Sequence, residues 1–516
     1  MTWENSAITI AVFLPLVGAL VIALVPRQLE KGVRALGIVI TGAAMAVAVA
    51  IALTFDYGAS STLQFRLDTR WIPAIDARYH VAIDGISLPL FVLTFVISFL
   101  CAIYTWRFVP SPGKTKSFLA LMLLLETGMA GTFIAFDLIL FFVFWELVLV
   151  PMYFLIGIWG SANREYAAIK FFLYTLFGSI FMLLGFLALY FNSDLGGGRH
   201  TFDLVALQEF GASGGFSNSL QLVVFGAIGL GFAVKVPMWP FHTWLPDAHT
   251  EAPTIGSVLL AAIMLKMGTY GFVRISLPVL PYGAEKYAPW IGLLAAIAIV
   301  YAALACLAQK DLKRLIAFSS VGHMGFVMLG IATLTSIGIN AAIFGMVAHG
   351  LITGMLFFCV GSVYDRYHTR EIAEIGGGLM QKLPYLGGVF AFVAIASLGL
   401  PGLAGFWGEV MALLSSFSPA EILVDAGLTG WFRFFMIAGG IGTILTAGYF
   451  LWMLQRVNMG NLPEKWKGEA FPDIVAIEWV SWVPLLIAIV AFGLFPRLLT
   501  GVTQDSANAL SSLFGS

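Results

Sequence analysis

Ser397-Leu-Gly-Leu-Pro-Gly-Leu-Ala-Gly-Phe-Trp-Gly-Glu409 sets four glycines and a proline into thirteen residues, in the middle of an apolar run from 384 to 414. Such a run is long enough to cross a bilayer, for which about 20 mainly apolar residues suffice. No regular helix passes undisturbed through Pro401, which lacks an N–H and crowds the turn before it. Backbone groups freed at membrane depth are tolerated only where protein or a wet cavity surrounds them. The stretch therefore reads as a discontinuous membrane helix carrying an ionisable group, Glu409, beside its break. Val234-Lys-Val-Pro237 repeats the pattern: Pro237 cannot donate to the carbonyl of Ala233, so a second break is expected beside Lys235.

Working outward, the same ruler finds fourteen apolar spans, at 7–25, 33–54, 86–106, 117–133, 135–158, 167–191, 219–240, 254–275, 289–308, 313–333, 337–362, 384–414, 434–456 and 474–496. With 60% hydrophobic and 11% charged residues, the composition excludes a soluble globular protein. A net charge of -1 leaves no basic surplus for nucleic acid. The three cysteines lie in apolar runs without a C-x-x-C or Cys/His cluster, which argues against disulfides, zinc and iron–sulfur ligation. The first apolar run carries no cleavage signal, so no removable signal peptide is expected. The fold class is an all-α polytopic bundle of about 14 transmembrane helices, discontinuous in the seventh and twelfth. The breaks are five spans apart, and because five is odd, equivalent elements enter from opposite sides. That is the signature of inverted repeats. Residues 1–116 form three N-terminal helices with an external hairpin read from Thr62–Trp71, residues 117–275 and 289–456 the two five-helix repeats, and 474–496 the final helix, all in one membrane domain. Seventeen Lys and Arg, from Arg27 to Lys467, lie on the odd-numbered connections and eight on the other side, which puts both termini outside the cytoplasm.

Lys235 and Lys266 are the two basic residues left within spans. With Glu146, His323, His349 and Glu409 they make six ionisable groups from six spans converging on the midplane. Such groups cost about 2.5 kcal/mol or more at the bilayer centre and are usually functional. The plainer alternatives are helix-to-helix hydrogen bonds for His323 and His349, and a static ion pair for the Glu and Lys, although buried pairs stabilise poorly. Glu126 reads as packing or a local hydrogen bond. Asp84, Asp137 and Glu478, near span ends, read as water contacts. Lysines at the centre favour protons over sodium, which wants a dry shell of oxygens; a lysine–carboxylate pair that makes and breaks can take up and release protons. No dinucleotide fingerprint, Walker motif or haem ligation pattern is present, so the driving energy comes from elsewhere.

Two long stretches carry a family resemblance: Val234-Lys-Val-Pro-Met-Trp-Pro-Phe-His-Thr-Trp-Leu-Pro-Asp-Ala-His-Thr-Glu-Ala-Pro-Thr-Ile-Gly-Ser-Val-Leu-Leu260 with Leu265-Lys-Met-Gly-Thr-Tyr-Gly271, and Lys310-Asp-Leu-Lys-Arg-Leu-Ile-Ala-Phe-Ser-Ser-Val-Gly-His-Met-Gly325. They resemble the signature of the antiporter-like subunits of respiratory complex I and of Mrp cation/proton antiporters, and the likeness covers nearly the whole chain. Within that family the twelfth-span group separates branches: the L-like and N-like subunits and the Mrp homologues generally carry lysine, and the M-like branch glutamate. Glu409, and the absence of a long lateral helix, resemble the M-like branch. The resemblance implies proton translocation in a multi-pass bacterial inner-membrane protein. Glu146 would partner Lys235 at an uptake half-channel, Lys266 would be the central relay linked by His323 and His349, and Glu409 the group toward the exit or the next subunit. It implies neighbouring antiporter-like subunits as partners, with NADH, FMN, iron–sulfur clusters and quinone on other subunits and no cofactor here. Mrp-type antiporters and membrane-bound hydrogenases are the related alternatives.

Overall fold

The structure is a computed structural model describing residues 3–26, 28–196 and 198–515; Arg27, one of the basic residues counted above, lies outside the described residues. Among these, thirteen helices are long and apolar enough to cross a membrane. A fourteenth crossing is split into Pro384–Ser397 and Ala404–Phe417, with Pro401 in the gap. The expected boundaries hold to within a few residues for most spans. The ninth starts earlier, at Pro281, because Pro281 sits at a helix N-terminus, where its missing N–H costs nothing. The seventh span ends at Lys235, and after eight residues of irregular chain a short helix, Trp244–Glu251, follows.

The eighth span (Thr254–Val279) is wholly buried and the eleventh (Ser336–Tyr367) nearly so, whereas a third of the second (Glu30–Thr54) and thirteenth (Thr429–Val457) is. The eighth and eleventh are thus the axis of the bundle, with the tenth (Leu312–Ala332) almost as buried, while the second and thirteenth turn apolar faces outward. The eighth span also departs from α-helical winding twice, in π-helical turns at Leu260–Met264 and Phe272–Ser276. Such turns are often found at functional sites.

Two short antiparallel bridges give the repeats direct support. Before the fifth span (Leu138–Trp159), Leu138 N–H donates to the Phe202 carbonyl at 2.9 Å and Leu204 N–H to the Phe136 carbonyl at 2.8 Å. Before the tenth span (Leu312–Ala332), Leu312 N–H donates to the Arg370 carbonyl at 3.0 Å and Ile372 N–H to the Lys310 carbonyl at 2.8 Å. In both, an aspartate caps the span: Asp137 accepts from Ile139 and Leu140, and Asp311 from Lys313 and Arg314. The two bridges lie five spans apart, the interval that separates the broken helices.

Four expectations are corrected. The run Thr62–Trp71 is one strand rather than a whole hairpin: β1 (Gln64–Ile72) pairs with β2 (Ala77–Ile83), Asp68 facing His80. The helix at 474–496 is not the last; Arg497–Ser511 follows it. That segment is amphipathic, which a search for continuous apolar runs passes over, and its Ser506 hydroxyl donates to the Ser60 carbonyl beside the hairpin at 2.9 Å. Asp84, Asp137 and Glu478 are all buried, because each is paired or capping: Glu478 with Arg366 at 2.8 Å, Asp84 with Arg274 at 2.5 Å, and Asp137 as described. For the same reason Lys235 and Lys266 are not the only cations inside: Arg274 and Lys313 are buried too, Lys313 donating to the Ala252 carbonyl.

Candidate functional site

The centre of the bundle is a chain of polar side chains strung between the eighth and twelfth spans. Lys266 is fully buried. Its Nζ donates to the Ala261 carbonyl and to His349 Nδ1, the latter at 2.6 Å. Ala261 belongs to the first π-helical turn, and the wide turn leaves its carbonyl facing the lysine. His349, on the eleventh span, sits edge-on to His323 of the tenth, ring centres 5.6 Å apart. His323 Nδ1 lies 3.1 Å from Glu409 Oε1 and its Nε2 3.1 Å from the Ser397 hydroxyl. Ser397 ends the first half of the twelfth span and Glu409 lies in the second half, so His323 bridges the break that Pro401 makes.

The break also makes room for the carboxylate. Gly399 has φ +82°, a left-handed conformation that favours glycine, and a Cβ there would stand 3.1 Å from Glu409 Oε2. Between the histidines and Glu409 lies a cavity of about 30 Å³, lined also by Thr353 and Ser397. That is space for a water or two between groups able to bond it.

Glu146 and Lys235 are arranged differently. They are near enough to attract each other, yet no ion pair joins them. Lys235 instead lies over the Trp145 ring, 5.2 Å from its centre, and Trp145 Nε1 donates to the Ser179 hydroxyl at 3.0 Å. A cation over an indole face is held by the ring quadrupole without an anion. At the seventh-span break, Trp244 Nε1 caps the Val234 carbonyl at 2.9 Å, and Met238 N–H takes the Ala233 carbonyl that Pro237 cannot reach.

Of the six residues singled out in the sequence, four thus form one contiguous chain, and Glu146 and Lys235 form a separate, loosely coupled pair. Ser397, Thr353 and the Ala261 carbonyl were not foreseen. Ser397 alone carried a signal, as the first polar residue of the glycine-rich break.

Residues 135–430 match the family described as NADH:quinone oxidoreductase/Mrp antiporter, TM. The chain is 40% identical to NADH-quinone oxidoreductase subunit M of Rickettsia bellii, covering 98% of this chain and 99% of that one. The chain belongs to this family. A family member in Rhodobacter capsulatus, also called NADH-quinone oxidoreductase subunit M, is 40% identical over 97% of this chain and 96% of its own. In respiratory complex I from Thermus thermophilus with bound NADH, one chain superposes with a TM-score of 0.86 at 28% identity, covering 99% of this chain and 100% of that one. A chain of the Mrp complex from Dietzia shares the family fold, with a TM-score of 0.81 at 18% identity over the whole of both chains.

Proposed function

We propose that this chain is the M-type antiporter-like subunit of a proton-translocating NADH:quinone oxidoreductase, moving protons across the membrane by two half-channels joined through the central chain. The observation that carries the reading is the run of groups from Lys266 through His349 and His323 to Glu409, each able to hold a proton, hydrogen-bonded at both ends and joined in the middle by two histidine rings set edge-on beside a cavity with room for water. Four such groups, with the separate pair Glu146 and Lys235, are expensive inside an apolar bundle, and the expense is explained if protons travel along them.

Protons are taken up on the face of the odd-numbered connections, the cytoplasm by the distribution of Lys and Arg, at Glu146 and Lys235. They pass to Lys266, and Glu409 releases them toward the outer face or receives the next subunit's influence. The gap between Glu146 and Lys235 supports this part: a pair that is not locked can be made and unmade as each group gains or loses a proton. The redox chemistry belongs to partner subunits that hold FMN, iron–sulfur clusters and quinone, and this chain supplies neither electrons nor a cofactor site. Other antiporter-like subunits would pack on its exposed apolar faces, in a bacterial inner membrane with both termini outside.

The test is Lys235→Ala and Glu146→Ala in inverted membrane vesicles. Both are expected to assemble and to lose NADH-driven acidification; normal pumping in both refutes the reading. Cation-dependent exchange in the absence of NADH, with no NADH-oxidising partner co-purifying, would favour an Mrp-type transporter instead.

A further inference from the structure

A second buried polar network lies at the end of the eighth span nearest the hairpin, outside the chain from Lys266 to Glu409. Arg274, in the second π-helical turn, donates through Nη2 to Asp84 Oδ1 at 2.5 Å. The same nitrogen donates to the Ser87 hydroxyl at 3.2 Å, and Nε to the Tyr270 hydroxyl at 3.1 Å. The Tyr270 hydroxyl lies 3.2 Å from Ser87 Oγ and donates to the Phe133 carbonyl at 2.8 Å. All four side chains are buried. Tyr270 stands four residues beyond Lys266, about 6 Å along the axis.

On the hairpin side of the ion pair, a cavity of about 300 Å³ is lined by Asp84, Arg274, Gln208, Glu209, Ser61 and Ser506. Apolar side chains, among them Val273, Leu510 and Leu513, complete its wall, and it has room for about ten waters. The Asp84–Arg274 pair and the Tyr270 ring stand between this cavity and the turn that bears Lys266. A lock between the third and eighth spans could be had from apolar side chains at no loss of stability, since a buried ion pair seldom outperforms them. Four polar groups arranged from a cavity bordered by Asp84, Arg274 and Glu209 toward a buried lysine call for another account.

Resting on the proton-carrying reading of Lys266, we propose that this network is a second, gated opening of the proton path toward the hairpin face, closed by the Asp84–Arg274 pair. In the conformation described, Lys266 Nζ points away from it, to Ala261 and His349. Its flexible four-carbon stem allows a swing toward Tyr270. The lysine ammonium then gives one proton to the Tyr270 hydroxyl and becomes a neutral amine. Tyr270 and Ser87 each pass one proton on as they receive one, and the Asp84 carboxylate becomes a carboxylic acid. A neutral Asp84 no longer holds the guanidinium, so the pair opens toward the cavity. Loss of the proton to cavity water restores the carboxylate, and re-pairing with Arg274 closes the route. The Asp84–Arg274 contact is thus the two-state element, and its bias is the charge on Asp84.

The test uses the assembled enzyme in inverted vesicles, with Asp84→Asn, Tyr270→Phe and the double variant. Asp84→Asn keeps the side chain's size and removes its hold on Arg274, so that the pair stands open and water from the cavity replaces the carboxylate as the acceptor of the proton leaving Ser87. After NADH is exhausted, its pH gradient is expected to decay about ten-fold faster than in the parent, a barrier lower by about 1.4 kcal/mol. Adding Tyr270→Phe, which keeps the ring against Phe133 and deletes only the hydroxyl, is expected to bring the decay back to the parental rate. Decay unchanged in Asp84→Asn, or fast decay indifferent to Tyr270→Phe, overturns the proposal. Should Asp84→Asn fail to assemble, Tyr270→Phe alone decides, and protons pumped per NADH at the parental value overturn it. Lys235→Ala and Glu146→Ala measured alongside separate the two levels: if both pump normally, the underlying function falls, and if both fail to pump while Asp84→Asn does not leak, only the gate falls.

Discussion

Replacing His349 with leucine removes the one group that touches Lys266 on the way to Glu409. The side chain is 6% exposed and of similar bulk to leucine, so the bundle is expected to assemble. Lys266 Nζ then loses its 2.6 Å partner, and the next proton-holding group, His323, has its ring centre 5.6 Å beyond that of His349. With the imidazole gone, a proton leaving Lys266 must cross both the former Nζ–His349 contact and the ring-to-ring step to reach His323, beyond the reach of a direct proton transfer, about 3.2 Å between heavy atoms. A positioned acid–base group accelerates a transfer by about 10² to 10⁴, or about 3–5 kcal/mol of barrier. The adjoining 30 Å³ cavity can hold a water that spans part of the gap, which places the expected loss at the low end, about 100-fold. NADH oxidation with a soluble acceptor reports the redox partners, and fluorescent-dye quenching in inverted vesicles reports acidification. The first is expected to stay at the parental rate and the second to collapse. Because residues of one relay act as a unit, His349→Leu with Glu409→Gln is expected to be no worse than the worse single variant. Pumping per NADH within about two-fold of the parent in His349→Leu would refute the claim that this contact carries protons, since the predicted loss at that step is far larger.

Gly399→Ala places a Cβ 3.1 Å from Glu409 Oε2 in a left-handed backbone conformation, which costs about 1–2 kcal/mol; the enzyme is expected to assemble, to lose thermal stability by that order, and to pump more slowly than it oxidises NADH. At the hairpin, burial pushes the Asp203 carboxyl up, but the hydrogen bond from His80, the Ala206 N–H and the charge of Arg78 outweigh burial and hold it below its ordinary value. Its contribution is therefore complete at neutral pH and is lost only as pH falls below about 3.9 toward the lower folded value, so pepsin cleavage at the 73–77 turn is expected to accelerate only there, whereas Asp203→Asn exposes the turn to protease already at neutral pH.

Much of the architecture was legible because lipid leaves the chain few choices. Every backbone group in hydrocarbon must be satisfied within its own helix, so apolar runs of the right length give the spans, and Pro237 and Pro401 give the breaks. The amphipathic segment Arg497–Ser511 and the second strand of the hairpin lay outside that rule. Lys235, Lys266, Glu146 and Glu409 stood out because a charge in an apolar run is costly wherever the helix goes. The same logic misjudged Asp84, Asp137 and Glu478, since distance from a span's middle does not say whether a partner waits there.

The sequence by itself determined that this is a membrane bundle with two interrupted helices and a small set of ionisable groups at its midplane, because hydrophobic length and the chemistry of proline are local properties. Only the tertiary structure decided which groups touch. It joined Lys266 to His349 and His323 to Glu409, left Lys235 over an indole ring apart from Glu146, and closed Asp84 onto Arg274. These contacts join residues 83, 86, 90 and 190 positions apart along the chain or, for Lys235, put an aromatic face where an anion was expected. Proton transfer depends on separations of a few tenths of an ångström, and helical periodicity carries no information about how one helix is rotated against another.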